Sequence, residues 1–259
     1  MVVYEPGDTA PWEEAAFTYI LIGINILVFI GTFFLSLGWN EDEALRFYED
    51  YGWVPDNVKD LDLFVKSGYT LLTHMFLHGG IMHILGNMWF LYVFGDDCER
   101  GFGRMIYIPF YFAAGLGAVT LHSGVALLFN AGSDIPSIGA SGAIFGVVSA
   151  YAVLFPDRPL NYWMGAGKAQ RVSARTFAMW YIGFEVLMAI IPFIPILSTA
   201  SGLDNVAHWA HLGGAIVGIV FALIFKKFFP TKYKYMKEGK FGRYYVAVRR
   251  AELVAENNT

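Results

Sequence analysis

Residues 138–155 read IGASGAIFGVVSAYAVLF: eighteen positions without Asp, Glu, Lys or Arg, with one serine set between glycines near the front. A run this apolar belongs inside a bilayer or at the centre of a large core. Working outward from it, five more such runs appear, at residues 17–37, 69–94, 105–129, 176 to about 200, and 205–225. Only the fifth holds an acid, Glu185. A spanning helix needs about 20 mostly apolar residues, so the expected architecture is an all-α membrane protein, a bundle of six transmembrane helices. The runs are too long and too continuously apolar for the strands of a barrel.

Composition agrees. Of the 259 residues 56% are hydrophobic, 17% aromatic and only 15% charged, against about 25% charged in an ordinary soluble domain. Mean hydropathy is +0.47. These values exclude a soluble enzyme, a disordered chain and a nucleic-acid binder. The single cysteine, Cys98, excludes a disulfide framework and a thiolate metal site. The segment before the first span is acidic (Glu5, Asp8, Glu13, Glu14) and lacks the basic start of a cleaved leader, so the first span is expected to stay as an anchor.

Charge sets the expected orientation. Of 18 Lys and Arg residues, nine follow the sixth span, four lie between the fourth and fifth and two between the second and third; only Arg46, Lys59 and Lys66 lie between the first and second, beside eight acids. The positive-inside rule then puts both termini in the cytoplasm of a multi-pass protein of the cell membrane. The chain divides into a cytoplasmic segment, 1–16, a six-helix domain, 17–229, with an outward loop at 38–68, and a basic cytoplasmic tail, 230–259. The loop mixes aromatics with charges (Trp39, Phe47, Tyr48, Tyr51, Trp53, Phe64), which suits a segment in the membrane interface or a small cap above it.

Polar groups at bilayer depth are costly and mark function. Here they cluster on three runs: His74, His78, His83 and Asn87 on the second, Ser141 on the fourth, His208 and His211 on the sixth. At 1.5 Å per helical residue, Ser141 and His211 each lie about 21 Å from the inner end of their spans, and His83 about 17 Å. Gly142 and Gly146 on one span and Gly214 and Gly218 on another form small-xxx-small pairs, which let helix backbones approach closely. His211 shares its helical face with Gly214 and Gly218. A serine is a weak nucleophile until a base takes its proton, and histidine is the usual base. Donors for an oxyanion are available in the Ser141 N–H, Asn87 and His83. With no evident carboxylate partner, the reading is a Ser141–His211 dyad, its imidazole oriented by packing against Phe145. Glu185 could face a polar partner or a substrate path, His208 is expected at the water boundary, and His122 has no assigned role. His74 and His78, four apart, could ligate a metal on one helix face, but no third ligand completes a set, so no metal and no cofactor is expected.

These residues resemble the rhomboid family of intramembrane serine proteases. Gly139-Ala140-Ser141-Gly142 matches that family's nucleophile motif, His83 with Asn87 its second core helix, and His211-Leu212-Gly213-Gly214 with Gly218 its catalytic-histidine helix; the likeness extends over residues 53–225. It implies a six-helix core that cleaves single-pass transmembrane proteins near the outer leaflet. Ser141 would be the nucleophile, His211 the general base and acid, and His83, Asn87 and the Ser141 N–H the oxyanion hole. Phe145 stands where some members have Tyr, and Gly68-Tyr69 where some carry a Trp-Arg pair. The implied partners are transmembrane substrates and lipid, with no nucleic acid. Two other readings stand beside this one: a non-catalytic relative that binds transmembrane clients, and a transporter whose histidines relay protons, for which no inverted repeat is visible.

Overall fold

A computed structural model describes residues 2–4, 15–130, 132–163, 170–191 and 206–237. Ten helices and a three-stranded sheet are found among them. Strand β1 (Val2–Tyr4) precedes helix α1 (Ala16–Ser36). The loop expected to face outward folds as α2 (Glu41–Tyr51), a 3-10 turn at Pro55–Lys59, and α3 (Leu61–Ser67). Then come the one-turn α4 (Thr70–Thr73), α5 (Ile81–Phe102), α6 (Arg104–Phe129) and α7 (Ser141–Leu154). Strands β2 (Pro159–Trp163) and β3 (Gln170–Ser173) lead to α8 (Ala174–Ile190), α9 (Val206–Phe228) and α10 (Pro230–Lys237). The all-α membrane fold stands. Helices α1, α6 and residues 208–228 of α9 are long and apolar enough to cross a bilayer alone.

Helix α7 is the axis of the bundle. Its 14 residues reach only about 21 Å, short of the ~30 Å hydrocarbon layer. It is apolar all round and is packed by α5, α6, α8 and α9, the environment such a helix requires. The approach to α9 is backbone to backbone. A Cβ on Gly214 would fall on the Gly142 carbonyl, and one on Gly218 on the Gly146 carbonyl. Phe94, Phe102, Phe110, Tyr107 and Tyr151 fill the half of the core away from Ser141, all buried.

The second run differs from expectation. It is not one helix from residue 69 to 94. The chain makes α4, a 3-10 turn at His74–Phe76, then an extended stretch, and α5 starts only at Ile81 and continues to Phe102. The Gly79-Gly80 pair explains the break, since two glycines in succession disfavour helix. The break removes the helical face on which His74 and His78 were paired as possible metal ligands. The small sheet was also not foreseen: β2 pairs antiparallel with both β1 and β3. The later part of the fifth run, Asn205, and most of segments 1–16 and 230–259 lie outside the described residues.

Buried charge fastens the end of the bundle away from Ser141. Ala15, ahead of α1, supplies no side-chain cap. The carboxylate of Glu99, 0% exposed on α5, takes that place: Phe17 N donates to it at 3.0 Å, Thr18 N at 2.7 Å and Thr18 Oγ1 at 2.9 Å. An anion at a helix N-terminus satisfies orphan N–H groups and the helix dipole together. Asp97, two residues earlier, is buried between Arg158 Nη1 (2.7 Å) and Arg100 Nη1 (3.2 Å). Lys232 Nζ of α10 donates to the Phe102 carbonyl at 2.8 Å. Strand β1, the β2–β3 hairpin and α10 therefore share one end of the bundle, opposite Ser141. Replacing Glu99 by Ala should cost about 2–4 kcal/mol, because buried donors lose their acceptor; Glu99→Gln should cost less. The midpoint of thermal unfolding in detergent checks the order, and an unchanged midpoint in Glu99→Ala would refute it.

Candidate active site

Ser141 is the first residue of α7, and the strand of chain leading to it is held from both sides. Trp53 N donates to Ser137 O (3.0 Å), Ser137 N to Trp53 O (2.8 Å), and Asp56 N to Ser133 O (2.9 Å). The Trp53 indole, buried, donates to Ser123 Oγ of α6 at 2.7 Å. Gly139 N donates to His74 O at 2.8 Å. The loop of residues 38–68 thus folds as a strap over the chain entering Ser141. Its aromatics pack in series, Trp39 on Phe47 (5.1 Å between centroids) and Phe47 on Tyr51 (4.9 Å). Gly139 has φ +121°, a conformation that side chains rarely adopt, and a Cβ there would meet His83 Nε2 at 2.8 Å.

The glycine contact between α7 and α9 brings Ser141 and His211 together. Ser141 Oγ lies 2.9 Å from His211 Nε2. Phe145, one turn along α7, stacks on the His211 ring with centroids 4.2 Å apart and planes 12° apart; Tyr181 of α8 stacks on the far face of Phe145 at 4.6 Å. The imidazole is therefore held by a flat three-ring pile.

The expectation that His211 has no carboxylate is overturned. Glu185 of α8, 5% exposed, reaches across to α9, and His211 Nδ1 donates to its Oε2 at 2.9 Å. His208 Nδ1 donates to the same oxygen at 2.6 Å, so His208 belongs to this cluster. An ionised carboxylate only accepts, so the His211 proton sits on Nδ1 in the neutral ring and Nε2 is free to accept from Ser141. The sequence held a signal for this: Glu185 is the lone acid in the six apolar runs, and Tyr181 precedes it by one helical turn. The helical face was what the sequence could not supply.

On α5, His83 and Asn87 stand one turn apart. His83 Nε2 borders Gly139 and Asn87 Nδ2 is buried without a hydrogen-bond partner among the described residues, an available donor. His78, buried, leans edge-on against His83 with centroids 5.0 Å apart, and neither of its ring nitrogens has a partner among the described residues. His74 Nδ1 donates to Thr70 O at 2.8 Å. A cavity of about 190 Å³ opens beside Ser141, lined by His74, Met75, Val119 and Ile138. The ligand atoms of Glu185, His208 and His211 lie within 4.8 Å of one another, close enough to hold a metal. As they stand they are paired by hydrogen bonds shorter than the ~3.3 Å that separates ligands around a tetrahedral zinc.

Comparison with known proteins places the chain in a family. The Rhomboid domain matches residues 66–228, more than half of the chain. The chain belongs to the rhomboid family of multi-pass membrane proteins, which includes serine proteases. It is 30% identical to rhomboid protease GluP of Bacillus subtilis over 79% of its own length and 34% of that protein's. It is 28% identical to rhomboid protease AarA of Providencia stuartii over 58% of its length and 53% of that protein's. RHOMBOID-like protein 1 of Arabidopsis thaliana is 30% identical over 69% of this chain and 39% of its own. The chain spans between about a third and a little over half of the length of these relatives.

The ring stack yields a test. Phe145→Leu keeps bulk but removes the flat partner of His211, worth about 1 kcal/mol in an aromatic pair. The rate of Ser141 acylation by a fluorophosphonate should fall by roughly fivefold, while Phe145→Tyr should react as the parent does.

Proposed function

We propose that this protein is an intramembrane serine endopeptidase that cleaves single-pass transmembrane proteins near the outer leaflet. The observation that carries the reading is the 2.9 Å contact between Ser141 Oγ and His211 Nε2 at the start of a buried helix. Ser141 attacks the substrate carbonyl while His211 Nε2 takes its proton. The carbonyl oxygen becomes an oxyanion, held by the Ser141 N–H at the helix N-terminus, Asn87 Nδ2 and the His83 imidazole. Imidazolium then protonates the leaving amine, and the C–N bond breaks to leave the acyl-enzyme. Water, deprotonated by His211, attacks the ester, and the serine leaves with the proton. A helical substrate must unwind locally, because its carbonyls are otherwise engaged within the helix; substrates should carry helix-weak residues near the outer end of their spans.

The enzyme works in the cell membrane with both termini cytoplasmic. The charge distribution supports this topology, and so does the pairing of β1 with β2, which puts the N-terminal segment at the end of the bundle away from Ser141. The alternative, a client-binding relative without catalysis, does not need the serine–histidine contact or an orphan amide at Asn87.

Treating the protein in detergent with a fluorophosphonate should label Ser141, and Ser141→Ala should abolish labelling. Cleavage of a single-pass reporter should disappear in Ser141→Ala and His211→Ala. In Asn87→Ala kcat should fall about 10²- to 10³-fold, the cost of one oxyanion donor. Labelling without cleavage of any reporter would decide for the client-binding role.

A further inference from the structure

Glu185 is a carboxylate deep in a membrane protein, and its ion-pair partners among the described residues are two histidines rather than Lys or Arg. Such a group is expensive to bury and is kept where it acts on something. Its surroundings specify what. One oxygen, Oε2, receives His208 Nδ1 at 2.6 Å and His211 Nδ1 at 2.9 Å. The opposite nitrogen of the His211 ring faces Ser141 Oγ at 2.9 Å. The imidazole is thus suspended in a line from carboxylate to hydroxyl, with Phe145 across its face. Helix α8 contributes to this arrangement twice, through Glu185 and through Tyr181, which backs Phe145.

We infer that Glu185 is the positioning residue of a three-residue Ser141–His211–Glu185 device, with His208 as the second donor that fixes the carboxylate. The inference rests on the protease reading above and deepens it. Glu185 touches no substrate. Its task is to hold the His211 proton on Nδ1, so that Nε2 presents a lone pair to the serine. With the other tautomer the ring would point a proton at Oγ, and Ser141 could not be activated. During acylation the proton moves from Oγ to Nε2, and the imidazolium that forms lies against the carboxylate, which stays ionised. His208 anchors Oε2 from the other side, so that the oxygen does not follow the histidine as it tilts.

The plain alternative is that Glu185 and His208 only join α8 to α9. The two roles differ in what a substitution disturbs. Glu185→Gln keeps the size of the side chain, yet its amide can offer N–H where the carboxylate accepted. In the positioning role kcat for reporter cleavage falls on the order of 10²-fold or more, as when the carboxylate of a serine–histidine–aspartate set is lost, with KM close to the parent value. Glu185→Asp recovers part of kcat, because an acceptor is restored at slightly greater reach. His208→Ala loses less than about tenfold, since the Glu185–His211 bond survives.

The test uses the full chain in detergent, measuring kcat, KM, unfolding midpoint and the ¹⁵N spectrum of the six histidines, with the His211 signals assigned by their loss in His211→Ala. The expected result is an Nδ1–H tautomer at His211 in the parent, an Nε2–H tautomer in Glu185→Gln, and return of the first in Glu185→Asp. If Glu185→Gln unfolds more easily, Glu185→Asp decides: recovery of both tautomer and kcat supports positioning, and a normal midpoint with neither recovered overturns it. If Glu185→Gln keeps kcat within about threefold while Ser141→Ala and His211→Ala are dead, the dyad is sufficient and only this inference fails. Turnover surviving in Ser141→Ala would remove the protease reading itself.

Discussion

The contact on which the rest depends is the one between two helix backbones. Where Gly142 and Gly146 of α7 meet Gly214 and Gly218 of α9, no side chain intervenes, and carbonyls of one helix occupy the space where the other would carry Cβ atoms. Inside a bilayer the hydrophobic effect gives helices little reason to associate, so close packing has to do that work. The same contact sets the chemistry. A serine at the first position of α7 and a histidine one turn before Gly214 come within hydrogen-bond distance only because the helices approach so closely.

Around that seam the protein separates two tasks by depth. The half away from Ser141 is a packed aromatic core fastened by buried charge: Glu99 caps α1 from across the bundle, and Asp97 joins Arg100 and Arg158. The half around Ser141 is more polar, with a broken second run, a chain in unusual backbone conformation before Ser141, and a strap formed by the loop of residues 38–68. Rigidity below makes the irregular backbone above tolerable. Non-helical chain at membrane depth needs partners for its N–H and C=O groups, and the Trp53–Ser137 and His74–Gly139 bonds supply them.

The orientation of the imidazole is over-determined. Two rings pile on its plane, and a carboxylate oxygen stands 2.9 Å from its Nδ1. The carboxylate and the outermost ring both come from α8, so a helix that carries neither Ser141 nor His211 contributes two of the contacts that hold the imidazole.

Much of this was legible in the chain. Hydropathy alone marked the apolar runs. Helical periodicity put His211 on the glycine face of α9, and residue counting brought Ser141, His211, His83 and Asn87 to similar depth. Phe145 beneath the imidazole followed from one-turn spacing. These are local properties, in which each residue's position follows from its neighbours along one helix. Three things were decided only by tertiary structure. The second run breaks before Ile81, because two glycines and the bonds from the outward loop outweigh an apolar pattern that reads as continuous helix. The N-terminal strand joins a sheet with residues more than 150 positions away, a pairing that no local pattern encodes. Glu185 finds His211 because α8 packs on α9 with one particular rotation about its axis. Rotation is set by the shapes of all the surrounding helices together, and a single apolar run with one acid in it does not say which way that acid will point.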